Sequence, residues 1–300
     1  MDKLRPKKIL GKGSQGTVIL TNNDNYTVKI YTKAGKNLKM LIKIINFFIK
    51  SKIPKTIYKS YYLTEKKDSL ERYINKLPNN FSYNSNNLEK YEIKIRLYEI
   101  MKTYDITLKD FINKLLIDNI EEDKKIEIIH SLLYQGIVTL LWLYIKKGII
   151  HLDINSDNFF VEKTDDKDLS IKIKDKTYNV KLHGYYLIIA DFGYGRSIEL
   201  IDSEEYKYSK SMNLEELNIH PWRDTNDLIK IFKKYYKELG IKNIGIKNNI
   251  ANSRFNSTRL EYKNMIRSYY DKKDFDKNKK IFKKEYLKFM NKYVLKNPNI

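Results

Sequence analysis

Two short acidic motifs near the middle of the chain carry the residue types that phosphoryl transfer needs. They are His151-Leu152-Asp153-Ile154-Asn155-Ser156-Asp157-Asn158 and, further along, Asp191-Phe192-Gly193. A carboxylate such as Asp153 can orient a hydroxyl group and accept its proton. Asn158 and Asp191 offer the oxygen ligands that Mg²⁺ prefers, and this cation bridges phosphate groups. The pattern predicts Asp153 as a catalytic base, with Asn158 and Asp191 as magnesium ligands.

A glycine-rich turn near the N-terminus predicts a phosphate-binding hairpin. The turn Gly11-Lys12-Gly13-Ser14-Gln15-Gly16 lies between two strand-like stretches, and a second turn and a third strand follow. In dinucleotide-binding folds, which share this glycine spacing, a helix follows instead. Glycine also lets the backbone approach phosphate without hindrance from a Cβ atom. We therefore predict nucleotide contacts from Leu10, Gly11, Lys12, Gly13, Ser14, Gln15, Gly16, Thr17 and Val18.

Lys29 lies inside the apolar third strand, residues 26–31. This position directs it towards the α- and β-phosphates of a nucleotide held by the hairpin, so we include it among the catalytic residues. One more exposed lysine in a lysine-rich chain is the weaker interpretation, because the neighbouring strand residues are apolar.

The carboxylate that would pair with Lys29 is not evident from the sequence. A helix is predicted over residues 37–50, but no Asp or Glu occurs between Lys29 and Glu65. The segment 64–77 has a helical apolar pattern that begins with a potential capping threonine. Glu65 or Glu71 from this segment could supply the partner, or the lysine has none.

Hydrophobic periodicity predicts the elements that hold the acidic motifs. Apolar residues from 126 to 144 form a helical stripe that ends at Gly148, just before the first motif. Strands are predicted at 159–161 and 186–190, the second leading directly to the Asp-Phe-Gly motif. Residues 169–182 between them form an inserted hairpin.

A strand over residues 91–101 follows a polar loop at 75–87. We expect Glu99-Ile100-Met101, at the end of this strand, to form a link between two lobes, where backbone groups bind the edge of an adenine ring. From Thr107 onward the chain is predicted to be mostly helical.

The C-terminal part contains a polar segment and three predicted helices. Residues 194–222 are rich in Tyr and Ser, as a substrate-facing loop would be. The run 224–227 is expected to cap the next helix. The tail from Ser257 carries two lysine-rich amphipathic helices.

Composition limits the function classes. The chain has 58 Lys and Arg against 37 Asp and Glu, for a net charge of +21, which would suit nucleic acid or an anionic membrane surface. The lysines are spread evenly, so a solvated basic surface is favoured over nucleic-acid binding. Cysteine is absent, which excludes disulfides and thiolate metal sites. No run approaches membrane-spanning length, and we expect a soluble, intracellular protein.

Together the motifs resemble the eukaryotic-type protein kinase family over essentially the whole chain. The residues that carry the resemblance are the Gly11–Val18 loop, Lys29, His151 to Asn158 and Asp191 to Gly193. The order of the motifs makes a chance match improbable. More narrowly, the chain resembles the divergent serine/threonine kinases of poxviruses and other large DNA viruses.

The resemblance implies one α+β kinase domain over 1–300, with an antiparallel-sheet N-lobe at about 1–101 and a mainly helical C-lobe at about 102–300. It implies transfer of the γ-phosphate of ATP, with Mg²⁺, to Ser or Thr of protein substrates. It also implies a cytoplasmic location, in the host cell or virion if the source is viral. The oligomeric state, the substrate and the regulator stay open.

The chain departs from the family pattern at four places. The acid on the first helix is missing. Leu152 replaces the arginine that receives an activation-loop phosphate, and Asn155 replaces a lysine near the γ-phosphate. No Ala-Pro-Glu triplet follows the activation segment, which leaves Asp227 as the expected anchor of the lower lobe.

These departures keep two alternatives open. One is a pseudokinase that serves as a binding scaffold, which the missing acid and Asn155 favour. The other is a small-molecule phosphotransferase of the antibiotic-kinase type, against which the glycine loop and the Asp-Phe-Gly motif argue.

Overall fold

A computed structural model describes most of the chain. The described residues are 6–12, 16–31, 38–66, 96–200, 220–241, 256–268 and 272–295. Several predicted features lie outside them: the loop residues Gly13, Ser14 and Gln15, the candidate Glu71, the polar loop at 75–87 and residues 201–219.

The N-terminal part is a five-stranded antiparallel sheet with the strand order β1-β2-β3-β5-β4. The strands are β1 Pro6–Lys12, β2 Gly16–Thr21, β3 Tyr26–Tyr31, β4 Ser60–Lys66 and β5 Arg96–Lys102. Helix α1, Leu38–Lys50, follows β3. Its apolar side is buried through Leu41, Ile44, Ile45 and Phe48. The predicted strands on both sides of the glycine turn, the third strand and the first helix are confirmed.

The predicted helix from Thr64 does not begin there. Thr64 and Glu65 belong to strand β4, where they pair with Tyr98 and Leu97 of β5. The preceding residues Tyr61 and Tyr62 have strong strand propensity, and the backbone pairing with β5 favours the strand. Glu65 is therefore not carried by a helix that docks near Lys29, and its strand is separated from β3 by β5.

The second half of the chain is mainly helical. The helices among its described residues are α2 Leu108–Ile117, α3 Glu122–Lys147, α4 Trp222–Glu238, α5 Asn256–Arg267 and α6 Lys272–Tyr293. Helix α3 ends at Gly148, whose φ of 59° favours glycine. Among the described residues α3 is the single helix long and apolar enough to cross a membrane, but 89% of its apolar window is buried inside the protein. It is therefore the core helix that the periodicity predicts.

Three short strand pairs lie beside α3. Strand β6, Ile149–Ile150, pairs with β11, Arg196–Ser197. The other strands are β7 Phe159–Lys163, β8 Asp168–Ile173, β9 Lys176–Lys181 and β10 Tyr185–Ile189, with a 3₁₀ turn at Phe192–Tyr194. Strand β7 pairs with β10, and β8 with β9, which confirms the predicted strands and inserted hairpin. The fold is thus α+β, a small antiparallel sheet with several helices.

The two glycines that flank the hairpin tip differ in the space available for a Cβ atom. A Cβ atom at Gly16 would lie 2.1 Å from the carbonyl oxygen of Ile30, whereas one at Gly11 meets nothing within 4 Å. The alanine variants form a matched pair, because both residues belong to the same motif.

We predict that Gly16→Ala lowers the free energy of unfolding by roughly 1–3 kcal/mol, because β2 and β3 must separate locally. Gly11→Ala should change it by less than about 0.5 kcal/mol. Urea denaturation followed by circular dichroism measures both. Equal losses in the two variants would show that the close contact with Ile30 is not the cause.

Candidate active site

The segment between β6 and β7 is shaped by two asparagines that hold Asp153. Asn158 Nδ2 donates to Asp153 Oδ2 at 2.8 Å and to its carbonyl oxygen at 2.9 Å. Asn155 Nδ2 donates to Asp153 Oδ1 at 3.2 Å. The Asn155 Oδ1 atom accepts from the backbone N–H groups of Asp157 and Asn158 at 3.0 and 3.1 Å. Both carboxylate oxygens of Asp153 are therefore oriented by amide donors, and Asn155 is a structural residue of this loop.

The β7–β10 pairing brings the two acidic motifs together. Ile189 lies opposite Phe159, and the Ala190 N–H donates to the Asn158 carbonyl oxygen at 3.0 Å. Asn158 precedes β7 and Asp191 follows Ala190, so the two predicted metal ligands lie on adjacent chain segments. Because Nδ2 of Asn158 donates to Asp153, its Oδ1 is the atom that can bind a cation.

Lys29 joins this group from the sheet. Its Nζ atom lies 2.6 Å from Asp191 Oδ1, although 162 positions separate the two residues. Asp191 has a left-handed backbone, with φ of 58°, and its side chain also accepts from the Gly193 N–H at 3.3 Å. Lys29 thus contacts Asp191, and Asn158 contacts Asp153. The backbone hydrogen bond between Ala190 and Asn158 joins the two motifs.

Asp191 is ionised in this arrangement. Burial by itself would raise its pKa, but the Lys29 ammonium, through its charge and its hydrogen bond, more than offsets burial and leaves the pKa below the usual value. A cation ligand must be a carboxylate rather than a carboxylic acid, and Asp191 meets this condition.

His151 orients the loop that carries Asp153. Its Nδ1 atom accepts from the Asp153 N–H at 3.3 Å, so Nε2 carries the proton and donates to the Ala190 carbonyl oxygen at 2.7 Å. The imidazole is buried, 1% exposed. Its contacts fix the backbone of both acidic motifs and leave no nitrogen for proton transfer to a substrate.

Asp224, rather than Asp227, anchors this loop. Helix α4 begins at Trp222, so Asp224 lies in its first turn and does not cap it as predicted. Its buried carboxylate accepts from the His151 N–H at 2.5 Å and the Leu152 N–H at 3.0 Å. These bonds hold Leu152 at a φ of 68°, which is unfavourable for a non-glycine residue.

Asp227 faces outward instead and pairs with residues of its own helix. Its carboxylate lies 2.7 Å from Lys230 Nζ and 3.8 Å from Arg223 Nε. One helical turn separates the buried and the surface carboxylate, and the sequence pattern alone favours neither.

Glu99 and Met101 do not lie in a link after the sheet. Both belong to β5, which continues to Lys102. The Thr103 N–H donates to the Asn25 carbonyl oxygen at 3.0 Å, so the connecting segment begins later than predicted. Backbone pairing with both β3 and β4 extends the strand beyond the apolar pattern.

Glu99 is fully buried, at 0% exposure. Its Oε2 and Oε1 atoms accept from the Tyr31 and Tyr58 hydroxyls, each at 2.7 Å. Burial raises the pKa of Glu99, and the hydroxyl donors and the positive charge of Lys29 only partly oppose this. Sequence reasoning missed this cluster, although a carboxylate inside an apolar strand is the same signal that singled out Lys29.

The donor set at Asn158 and Asp191 fits a magnesium ion. The described residues contain no group of three or more His, Cys, Asp or Glu side chains that could hold a metal. Magnesium, however, is commonly held by one or two protein oxygen ligands, with water and substrate phosphates completing its octahedron. An amide oxygen and an ionised carboxylate on adjacent chain segments are ligands of that kind.

No protein-family model matches the chain, and no curated protein matches it. The case for a function therefore depends on the residues and on the geometry described above.

We predict that Asp224→Ala lowers the free energy of unfolding by roughly 1–3 kcal/mol for each of the two buried N–H groups that lose their acceptor. Asp227→Ala, on the same helix, is the control and should change it by less than about 0.5 kcal/mol. Urea denaturation measures both. A larger loss in the Asp227 variant would contradict the assignment of Asp224 as the anchor.

Proposed function

We propose that this protein is a two-lobed protein kinase that transfers the γ-phosphate of ATP to Ser or Thr hydroxyl groups of protein substrates. The observation that carries the proposal is that Lys29 pairs with Asp191 and Asn158 with Asp153, and that the Ala190–Asn158 backbone hydrogen bond joins the two acidic motifs. A chance match of short motifs would not bring a strand lysine and two distant acidic motifs to one place. The N-lobe in this proposal is about 1–101 and the C-lobe about 102–300.

The proposed site divides the chemistry among four side chains. Asn158 Oδ1 and the Asp191 carboxylate would hold Mg²⁺, and Lys29 would contact the nucleotide phosphates. When bound, magnesium-ATP supplies the γ-phosphoryl group and a metal charge that neutralises the phosphate oxygens. The hairpin formed by β1 and β2 would cover the phosphates with backbone N–H groups.

Asp153 acts on the acceptor. Its carboxylate accepts hydrogen bonds from Asn155 and Asn158, which fix its orientation before a substrate arrives. Asp153 orients the substrate hydroxyl and receives its proton as the oxygen–phosphorus bond forms and the bond to the leaving ADP oxygen breaks. An oriented base contributes typically about 10²–10⁴-fold to such a transfer.

We predict that Asp153→Ala abolishes transfer but leaves magnesium-ATP affinity near that of the wild type, because Asp153 is not a metal ligand in this proposal. Asp191→Ala should weaken magnesium-ATP binding itself. Radiolabelled transfer to a panel of protein acceptors, with titration calorimetry for binding, measures both effects. Unchanged turnover of Asp153→Ala would refute the mechanism, and full affinity of Asp191→Ala would refute its metal role.

We also predict that the enzyme is active without prior phosphorylation of the 194–222 segment. A bound phosphate is best held by a guanidinium group, and Leu152 offers no charge where the kinases that the sequence resembles have an arginine. The Leu152 backbone is instead fixed by Asp224. Phosphatase-treated protein should transfer phosphate from the first turnover. A lag that preincubation with ATP removes, and that depends on one hydroxyl of this segment, would contradict the prediction.

A further inference from the structure

Lys29 is a buried cation, 7% exposed, that needs negative charge around it. The helix expected to provide that charge does not: α1 carries no acidic residue in its sequence LKMLIKIINFFIK. Glu65 lies in β4, beyond β5. Asp191 supplies one carboxylate, 2.6 Å from Lys29 Nζ, but in the proposed function that carboxylate also binds Mg²⁺.

Glu99 is the carboxylate that the sheet itself brings to Lys29. The two residues are direct cross-strand partners in the antiparallel pair β3–β5, so their side chains extend from the same face with Cβ atoms about 4.5–5.5 Å apart. The positive charge of Lys29 acts on the Glu99 carboxylate. Lys29 Nζ also lies 5.0 Å from the centre of the Tyr31 ring, and the hydroxyl of that ring donates to Glu99.

The Glu99 carboxylate is held in place rather than free to swing. Tyr31, at the end of β3, and Tyr58, just before β4, donate to its two different oxygens. Both tyrosines are themselves buried, at 4% and 2% exposure. A carboxylate fixed at both oxygens has little freedom to follow movements of neighbouring helices.

Burial of a carboxylate at this position costs folding free energy. Replacing a buried charged group by an apolar side chain of similar size is often neutral or stabilising, and the other strand residues around Glu99 are mostly apolar. The geometry therefore calls for a reason other than packing, and the adjacent cation supplies one.

We propose that Glu99 is the positioning residue for Lys29, in place of a carboxylate on the first helix, and that the two tyrosine hydroxyls fix it for this role. The inference deepens the proposed kinase function and rests on it for the task of Lys29. It has a regulatory consequence: the lysine and its carboxylate belong to one sheet, so no movement of α1 is needed to bring them together.

A double-mutant cycle tests whether Glu99 acts through Lys29. The variants are Glu99→Gln, Lys29→Met and the double variant. The matched control is Glu162→Gln, which removes a carboxylate that pairs with Lys102 instead. Two readouts are taken: the affinity for a fluorescent ATP analogue with Mg²⁺, and kcat/KM for ATP in phosphate transfer.

We predict that Glu99→Gln weakens nucleotide affinity about fivefold and lowers kcat/KM at least about tenfold. In the Lys29→Met background the same substitution should change either quantity less than about twofold, because the lysine it positions is absent. Glu162→Gln should leave both near the wild-type values. Equal losses from Glu99→Gln in both backgrounds, or no loss in either, would overturn the inference.

A second pair of variants covers the case in which Glu99→Gln does not fold. Tyr31→Phe and Tyr58→Phe each remove one hydroxyl and keep the carboxylate, and both should show an intermediate, Lys29-dependent loss. Losses that persist unchanged in Lys29→Met would count against the proposal. Near-UV circular dichroism checks the fold of every variant.

The two proposals fail in different ways. Coupling between Glu99 and Lys29 in nucleotide affinity, without phosphate transfer by the wild type, would support the positioning role and contradict the kinase activity. Phosphate transfer by the wild type without coupling between Glu99 and Lys29 would support the kinase activity and contradict the positioning role. A wild-type protein that binds no nucleotide would overturn both.

Discussion

The ion pair between Lys29 and Asp191 is the contact on which the candidate site depends. It joins the N-terminal sheet to the segment that follows β10, across 162 positions of sequence. The side chain of Lys29 is almost fully buried, and that of Asp191 is about one-third exposed. The ion pair is therefore favourable and still accessible to solvent. An open side matters, since a ligand must reach the carboxylate for Asp191 to bind a metal.

The loop that carries Asp153 also depends on Asp224, a buried carboxylate that holds the loop backbone. Asp224 accepts from two consecutive backbone N–H groups and thereby stabilises Leu152 in a left-handed conformation that leucine otherwise avoids. The conformation of Leu152 sets the direction in which the side chain of the next residue, Asp153, extends from the backbone. The two asparagines then fix the carboxylate itself. The strained backbone of Leu152, its anchor Asp224 and the orientation of Asp153 are therefore parts of one local arrangement.

The sequence predicted the elements well where side-chain periodicity and chain direction agree. The core helix α3 with its glycine stop, the β8–β9 hairpin and the strands that lead to Asn158 and Asp191 were all readable, because each has a repeating apolar pattern. Contacts between residues distant in sequence could not be predicted from such patterns. Nothing in the local pattern shows that residues 99–101 stay paired within the sheet instead of forming the link. Nor does it show that Asp224 is buried and Asp227 is not, since both outcomes depend on which neighbouring strand or loop packs there.

The division of labour between sheet and helix explains why α1 can lack an acid. Its buried Phe48 lies 4.9 Å from the Phe192 ring, which in turn lies 4.6 Å from the His151 ring. Through these aromatic contacts α1 supports the two acidic motifs from behind, a task that needs apolar side chains. In our proposal β5 supplies Glu99 as the positioning carboxylate for Lys29, in addition to the Asp191 carboxylate that pairs with it. A helix relieved of the electrostatic task can be selected for packing alone, and its run of Leu, Ile and Phe is the composition that packing requires.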